Sequence, residues 1–176
     1  MTDNAESTFI PICIAVLTVS DTRTEETDTS GQLLAEYVRG SGHILAEKLI
    51  LPDNVYRIRA AVSRWIAEPE VQAVIVTGGT GLTARDNTPE AIRPLFDKEI
   101  DGFGELFRSV SYQEIRSSTI QSRVLAGVAN ATLIFCVPGS GNACQTAWEH
   151  ILKDQLDSRH RPCNFVQILP RMKREP

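Results

Sequence analysis

Continuously apolar runs alternate along the chain with segments whose apolar residues recur every three or four positions. The runs at 12–19 and 71–76 are short, almost entirely apolar and rich in β-branched residues, which is typical of parallel strands covered on both faces. A weaker run at 44–51 predicts a further strand. One apolar helix face is marked by Ile58, Ala61, Val62, Trp65 and Ile66. This alternation predicts an α/β fold on a mostly parallel sheet.

The second half of the chain predicts two antiparallel strands flanked by helices. These elements are helices at 89–96 and 102–115, strands at 124–128 and 132–137, and a closing helix that ends near Leu156. Because Pro162 interrupts a helix, we expect an extended arm over 159–169. We predict one domain over residues 10–170, between a flexible tail over 1–9 and a basic tail over 171–176.

Composition and charge limit the kinds of partner that we expect for this protein. The formal charge of −4 lacks the excess of basic residues that nucleic-acid-binding proteins carry. No apolar run approaches the ~20 residues of a membrane span. The four cysteines form no Cys-x-x-Cys pair, and three scattered histidines predict surface or capping roles rather than a metal site. We therefore expect a reduced, cytoplasmic protein without nucleic-acid or membrane partners.

A glycine turn, Thr77-Gly78-Gly79-Thr80-Gly81, follows the apolar run at 71–76. Glycine tolerates positive φ and leaves no Cβ between the backbone and a ligand. The exposed N–H groups of such a turn can bind an anion. The turn matches neither the P-loop nor the dinucleotide fingerprint. A second glycine loop, Pro138-Gly139-Ser140-Gly141, follows the run at 132–137.

Three aspartates, Asp21, Asp53 and Asp86, follow predicted strands or the glycine turn. Because right-handed crossovers bring the carboxyl ends of parallel strands to one edge, we expect these aspartates to share a crevice there. Backbone donors beside carboxylates suit a phosphate-bearing substrate and Mg²⁺. This combination favours phosphoryl or nucleotidyl transfer over covalent catalysis, for which no serine–histidine arrangement is present.

Local structural roles compete with function at the acidic residues. Asp86 could cap the helix that begins near Thr88, although Thr88 itself is the better cap. Asp53 could be a turn residue that ends its strand. Glu105, in Gly102-Phe103-Gly104-Glu105, could contact a ligand or only favour the helix dipole.

Seven motifs occur in one order along the chain. They are Thr18-Val19-Ser20-Asp21, Asp28-Thr29-Ser30-Gly31, Leu51-Pro52-Asp53, Thr77-Gly78-Gly79-Thr80-Gly81, Arg85-Asp86-Asn87-Thr88-Pro89-Glu90, Gly102-Phe103-Gly104-Glu105 and Pro138-Gly139-Ser140. Together they resemble the MoaB/MogA family of molybdenum cofactor biosynthesis proteins, and Arg161-Pro162-Cys163-Asn164-Phe165 resembles the MoaB branch. The resemblance implies a three-layer α/β/α sandwich of the molybdopterin-binding-domain type.

The resemblance also implies molybdopterin adenylyltransferase activity with Mg-ATP as the second substrate. It implies that Asp53 and Asp86 are catalytic and bind Mg²⁺. The implied substrate-binding residues are Ser20, Asp21, Ser30, Gly31, Thr77, Gly78, Gly79, Thr80, Gly81, Glu105, Pro138, Gly139 and Ser140.

Assembly and alternatives follow from the same resemblance. It implies a homo-oligomer, a hexamer rather than a trimer, and contacts with other molybdenum cofactor biosynthesis proteins. The alternative function is a non-catalytic pterin-binding or carrier protein that uses the same pocket.

Overall fold

Six strands form one sheet in the computed structural model, which describes residues 8–172. The strands are β1 (Cys13–Val19), β2 (Ile44–Leu51), β3 (Ala73–Thr77), β4 (Lys98–Glu99), β5 (Leu125–Ala129) and β6 (Thr132–Val137). Their order is β2-β1-β3-β6-β5-β4. The first four strands of this order are parallel, whereas β5 runs antiparallel to β6 and β4 antiparallel to β5. The mostly parallel sheet and the antiparallel pair are confirmed.

Helices cover both faces of the sheet. They are α1 (Thr29–Gly40), α2 (Val55–Ala67), α3 (Thr88–Ile92), α4 (Asp101–Ile115), α5 (Gly141–Ala147), α6 (Lys153–Gln155) and α7 (Phe165–Met172). Short 3₁₀ segments at Arg93–Leu95 and Arg116–Gln121 follow α3 and α4, and a π-helical turn at Trp148–Leu152 joins α5 to α6. The predicted closing helix is thus a chain of three helical pieces.

The alternation of side chains along β1 divides the core into two layers. Ile14 and Val16 pack with α1, α4, α5 and α7 on one face. Ala15 and Leu17 pack with α2 and α3 on the other face. Because a central parallel strand is buried on both sides, it needs apolar residues at every position. The three-layer α/β/α sandwich is confirmed.

The segment after α6 differs from the expected extended arm. Residues 165–172 form α7, which buries Val166 and Leu169 in the core. Pro162 lies before this helix and does not interrupt it. Asn164 Oδ1 accepts a hydrogen bond from Gln167 N (3.0 Å), which stabilises the helix start. The prediction of an extended arm is therefore wrong over 165–169.

The chain ends lie largely outside the described residues. The predicted tails at 1–9 and 171–176 are described only at Thr8, Phe9, Arg171 and Met172. Phe9 packs against His43 with ring centroids 5.1 Å apart, and the last two residues belong to α7. Within residues 8–172, no helix combines the length and apolar character needed to cross a membrane.

Candidate functional site

The loops that carry the predicted site residues meet at one edge of the sheet. β1, β2, β3 and β6 all end there because they are parallel. The loops that follow these strands begin at Ser20, Pro52, Gly78 and Pro138. The expected meeting of these loops is confirmed, but the expectation that Asp21, Asp53 and Asp86 share one crevice is wrong, because only Asp86 lines the cavity at this edge.

The two glycine loops touch each other. Gly78 N donates to Val137 O (3.0 Å), and the Thr77 hydroxyl donates to Pro138 O (2.9 Å). A Cβ at Gly139 would lie 3.2 Å from Gly78 Cα. Gly78 has a φ of +99°, and a Cβ there would overlap the Val19 carbonyl oxygen. Glycine is therefore required where the backbones meet.

A cavity of about 350 Å³ lies over these loops. Nine of the predicted residues line it: Ser20, Thr77, Gly78, Gly79, Thr80, Gly81, Asp86, Pro138 and Gly139. Four further lining residues were not predicted, namely Thr18, Arg23, Gln121 and Ser122, besides the apolar Val19. Arg23 and Asp86 are the two charged residues that line the cavity.

Asp86 lies at the end of the loop that follows the glycine turn. Its Oδ2 accepts hydrogen bonds from Thr83 N (2.9 Å) and Thr83 Oγ1 (2.6 Å). The Thr83 hydroxyl is the main reason why the pKa of Asp86 is lowered, and partial burial opposes the shift. Asp86 does not cap α3. Asn87 occupies the cap position, but its side chain makes no capping hydrogen bond to the helix.

Asp53 lies behind the glycine turn and does not line the cavity. It is 5% exposed, and it accepts hydrogen bonds from Asn87 N (3.0 Å to Oδ2) and Asn87 Nδ2 (2.8 Å to Oδ1). A Cβ at Gly79 would lie 2.6 Å from Asp53 Oδ2. Asp53 and Asp86 therefore flank the same turn, but only Asp86 faces the open space.

Asp21 is held by an arginine from the loop after the glycine turn. Arg85 donates from Nε to Asp21 Oδ2 (2.9 Å) and from Nη2 to Asp21 Oδ1 (2.6 Å). These hydrogen bonds lower the pKa of Asp21. Asp21 Oδ1 also accepts from Asp53 N (3.0 Å). Asp21 thus links the ends of β1 and β2 to the loop that carries Asp86.

Ser30 and Gly31 lie beneath the cavity, in the first turn of α1. Ser30 Oγ donates to Gly139 O (2.8 Å). Gly31 N donates to Asp28 Oδ1 (2.9 Å), and a Cβ at Gly31 would overlap the Asp28 carboxylate. Asp28 is fully buried and also pairs with Lys48 Nζ at 2.9 Å. Asp28 belongs to one of the seven motifs, but no role in the site was predicted for it.

Arg123 fixes both ends of the loop between Gly81 and Asp86. Its Nε donates to Gly81 O (2.7 Å) and its Nη2 to Asp86 O (2.6 Å), while Nη1 pairs with Glu90. Thr88 also holds the turn, because its hydroxyl donates to Gly78 O (2.8 Å) and does not cap α3. Arg123 carries no sequence signal for this role, since it is a single arginine between two elements.

Glu105 and Ser140 lie outside the cavity. Ser140 is the N-cap of α5 and accepts from Ala143 N (3.2 Å). Glu105 is exposed on α4, in a separate groove of about 1020 Å³ that also contains Arg108 and Arg123. Ser122 lines both the groove and the cavity, so the two spaces are neighbours.

The donor set of the cavity suits a phosphate with a divalent cation. Mg²⁺ is usually held by one or two carboxylates together with substrate phosphates and water. Asp86 is the carboxylate that lines the cavity, although its Oδ2 already accepts hydrogen bonds from Thr83. The Asp53 oxygens already accept hydrogen bonds from Asn87. Among residues 8–172, no group of three or more His, Cys, Asp or Glu side chains is arranged to hold a metal.

The fold and the site define a class of protein, a three-layer α/β/α domain with a glycine-lined cavity at the carboxyl edge of its sheet. The family described as "Probable molybdopterin binding domain" matches residues 15–158. Molybdenum cofactor biosynthesis protein B of Escherichia coli K12 is 59% identical over 157 residues, which cover 89% of this chain and 92% of that protein.

Solved structures agree with this comparison. The crystal structure of a molybdenum cofactor biosynthesis protein B is 39% identical, with a TM-score of 0.83 over 93% of this chain and 96% of that chain. The tungsten cofactor synthesizing protein MoaB of Pyrococcus furiosus is 33% identical, with a TM-score of 0.77 over 93% and 98%. The chain belongs to the MoaB/MogA family of molybdopterin-binding-domain proteins, in the group of molybdenum cofactor biosynthesis B proteins.

Proposed function

We propose that this protein acts in molybdenum cofactor biosynthesis by transferring an adenylyl group from Mg-ATP to molybdopterin. An oxygen of the terminal phosphate of molybdopterin attacks the α-phosphorus of ATP, and the bond to the pyrophosphate oxygen breaks. The products are adenylyl-molybdopterin and pyrophosphate. The observation that carries the proposal is the cavity in which two glycine loops face Asp86.

The residues of the cavity have distinct roles in this proposal. The turn 77–81 binds phosphate through backbone N–H groups, since its glycines keep side chains away from the ligand. Pro138 and Gly139 form the facing wall on the pterin side. Asp86 would hold Mg²⁺, and the ion would supply positive charge for the pyrophosphate leaving group. Positioning and charge neutralisation are the main contributions to such a transfer.

Asp53 acts mainly through its neighbours in this proposal. Its carboxylate holds Asn87 N and Nδ2, and these bonds orient the residue that directly follows Asp86. Reorientation of Asn87 would free an Asp53 oxygen for Mg²⁺, as the family resemblance implies. Asp53 is therefore a positioning residue first and a second metal ligand only after this change.

A carrier function is the second candidate. Asp21 and Asp53 are engaged in hydrogen bonds with loop residues, and this arrangement favours a pocket built to hold a ligand without turnover. Binding requires the glycine turns, whereas turnover also requires an acid free to hold Mg²⁺. The two functions therefore differ in their dependence on Asp86.

Pyrophosphate release from ATP and molybdopterin, measured with and without Mg²⁺, separates the two functions. We expect Mg²⁺-dependent release, and we expect Asp86→Asn to reduce turnover by at least ~10²-fold, a typical loss for one key electrostatic group. Asp154→Asn, an exposed substitution on α6, is the matched control and should leave turnover unchanged. Tight pterin binding without release would favour the carrier, and normal turnover in Asp86→Asn would remove Asp86 from the mechanism.

We also propose a cytoplasmic homo-oligomer, a hexamer rather than a trimer, that contacts other proteins of the same pathway. Exposed apolar side chains on α4 and the following turn support self-association: Leu106, Tyr112, Ile115 and Ile120. The four free cysteines agree with a reducing compartment. Light scattering coupled to size exclusion gives the mass, and a monomer at micromolar concentration would contradict the assembly.

A further inference from the structure

Arg23 lines the cavity, but no motif in the sequence analysis assigned it a role. It lies in the loop between β1 and α1 and is partly exposed. Its Nη1 donates to Thr27 O (2.7 Å) and to Thr29 Oγ1 (3.0 Å). Its backbone N donates to Ser20 Oγ (3.2 Å), and Ser20 lines the same cavity. Both the backbone and the side chain of Arg23 are therefore held in place.

The contacts of Arg23 leave part of its guanidinium available. A guanidinium has five N–H donors in a planar fork that matches phosphate and carboxylate geometry. Within residues 8–172, Nε and Nη2 of Arg23 make no hydrogen bond, and no carboxylate lies within ion-pair distance of this side chain. Arg85 differs, because its Nε and Nη2 both donate to the carboxylate of Asp21.

The charge of Arg23 also lies near the start of the glycine turn, at the base of the cavity. Burial raises the pKa of the Cys144 thiol to about 11; the Thr77 hydrogen bond lowers this pKa, the charge of Asp28 raises it, and the charge of Arg23 lowers it. The Cys144 sulfur lies 3.2 Å from Thr77 Oγ1, at the start of the glycine turn. Arg23 is therefore close enough to the start of the glycine turn for its charge to act there, against the opposite charge of Asp28.

We propose that Arg23 is the protein's own cation for the substrate phosphate in this cavity and that its free fork completes the anion site of the glycine turn. The proposal deepens the proposed function, on which it rests, by naming the residue that recognises the anion. The ligand chemistry is a phosphate group, either the polyphosphate of a nucleotide or a phosphate monoester. Thr27 and Thr29 fix the guanidinium before binding, so less side-chain entropy is lost on complex formation.

Calorimetric titration tests this assignment, with inorganic pyrophosphate as the polyphosphate and phenyl phosphate as the monoester. We expect Arg23→Gln to weaken binding of at least one probe by roughly tenfold to a hundredfold, as for loss of a hydrogen bond to a charged group. Arg23→Lys should recover only part of this affinity, because a lysine keeps the charge but lacks the fork. The probe that loses affinity identifies the phosphate that Arg23 holds.

Arg39→Gln is the matched control. It removes the same charge from an exposed position in the last turn of α1, whose first turn lies beneath the cavity. Affinity should stay within about twofold of the wild type, since a distant surface charge is largely screened by salt. Circular dichroism checks that each variant is folded. If Arg23→Gln unfolds the loop, the affinity of Arg23→Lys still tests the role of the guanidinium.

Binding and turnover separate this proposal from the proposed function. Equal affinity for both probes in the wild type and in Arg23→Gln would overturn the role of Arg23, and so would a wild type that binds neither probe. Arg23-dependent pyrophosphate binding without pyrophosphate release from ATP and molybdopterin would support the anion site and reject adenylyl transfer. Normal turnover in Arg23→Gln would support adenylyl transfer and reject the role of Arg23 in the anion site.

Discussion

A single added methyl group at Gly79 should damage both the stability and the site. Gly79 has a φ of +64°, and a Cβ there would overlap Thr88 Oγ1 and lie 2.6 Å from Asp53 Oδ2. Neither neighbour is free to move, because Thr88 Oγ1 donates to Gly78 O (2.8 Å) and Asp53 holds Asn87. Left-handed backbone costs an alanine about 1–2 kcal/mol, and overpacking a rigid site costs about 1–3 kcal/mol more.

Gly42→Ala separates the cost of backbone strain from the cost of overpacking. Gly42 has a φ of +85°, but a Cβ there would meet only the Phe9 ring, at 3.1 Å, far from the cavity. We expect a loss of about 1–2 kcal/mol in Gly42→Ala from backbone strain alone. Gly79→Ala should lose about 1–3 kcal/mol more, from the overlap with Thr88 and Asp53.

Urea unfolding followed by circular dichroism, at equal protein concentration, measures both losses. Pyrophosphate binding should also weaken in Gly79→Ala and stay unchanged in Gly42→Ala, because only the first variant displaces the acid and the hydroxyl behind the turn. Equal loss of stability in the two variants would refute the argument that the site around Gly79 is rigid.

Two further predictions concern carboxylates beneath and beside the cavity. Asp28→Asn leaves Lys48 without its buried partner, so we expect a loss of roughly 3 kcal/mol in urea unfolding, whereas Glu25→Gln, at the exposed partner of Lys48, should cost less than about 1 kcal/mol. Thr83→Ala removes the main cause of the lowered pKa of Asp86. The stabilisation from ionised Asp86 is present above its ordinary pKa of 3.8 and is lost as the pH falls through the lower native pKa. The variant should therefore retain less of this stabilisation at neutral pH, and carboxyl NMR titration should show a raised pKa of Asp86; an unchanged pKa would contradict the assignment.

The sequence was sufficient for five of the six strands and for the edge at which the loops meet, but not for the two-residue strand β4 (Lys98–Glu99). Apolar runs and their spacing indicate the strands without any long-range information, and the handedness of crossovers then determines where strand ends lie. The prediction failed where a side chain is buried by distant parts of the chain. His43 is one of the three histidines expected in surface or capping roles, but it is 6% exposed and its Nδ1 accepts from Ile12 N at 3.3 Å.

Roles within the site were harder to predict than its location. Pattern reasoning placed the glycine turn and Asp86 at the cavity. It gave no role to Arg123, because the carbonyls that Arg123 binds belong to residues about forty positions earlier in the chain. The family resemblance gave Asp53 and Asp86 the same catalytic and metal-binding role. Their difference in exposure depends on Asn87, whose side chain turns toward Asp53.

The pairing of charges around the cavity explains why an acidic edge can still receive a phosphate. Two unit charges about 4 Å apart interact by roughly 4 kcal/mol at an effective dielectric constant near 20, so each unpaired carboxylate would repel the ligand strongly. Most carboxylates near the cavity are neutralised by a neighbouring cation: Asp21 by Arg85, Asp28 by Lys48 and Glu90 by Arg123. Arg23 and Asp86 line the cavity and form no ion pair with another described residue. A phosphate that contacts Arg23 and shares a divalent cation with Asp86 would neutralise both side chains. A phosphate without a cation would neutralise only Arg23.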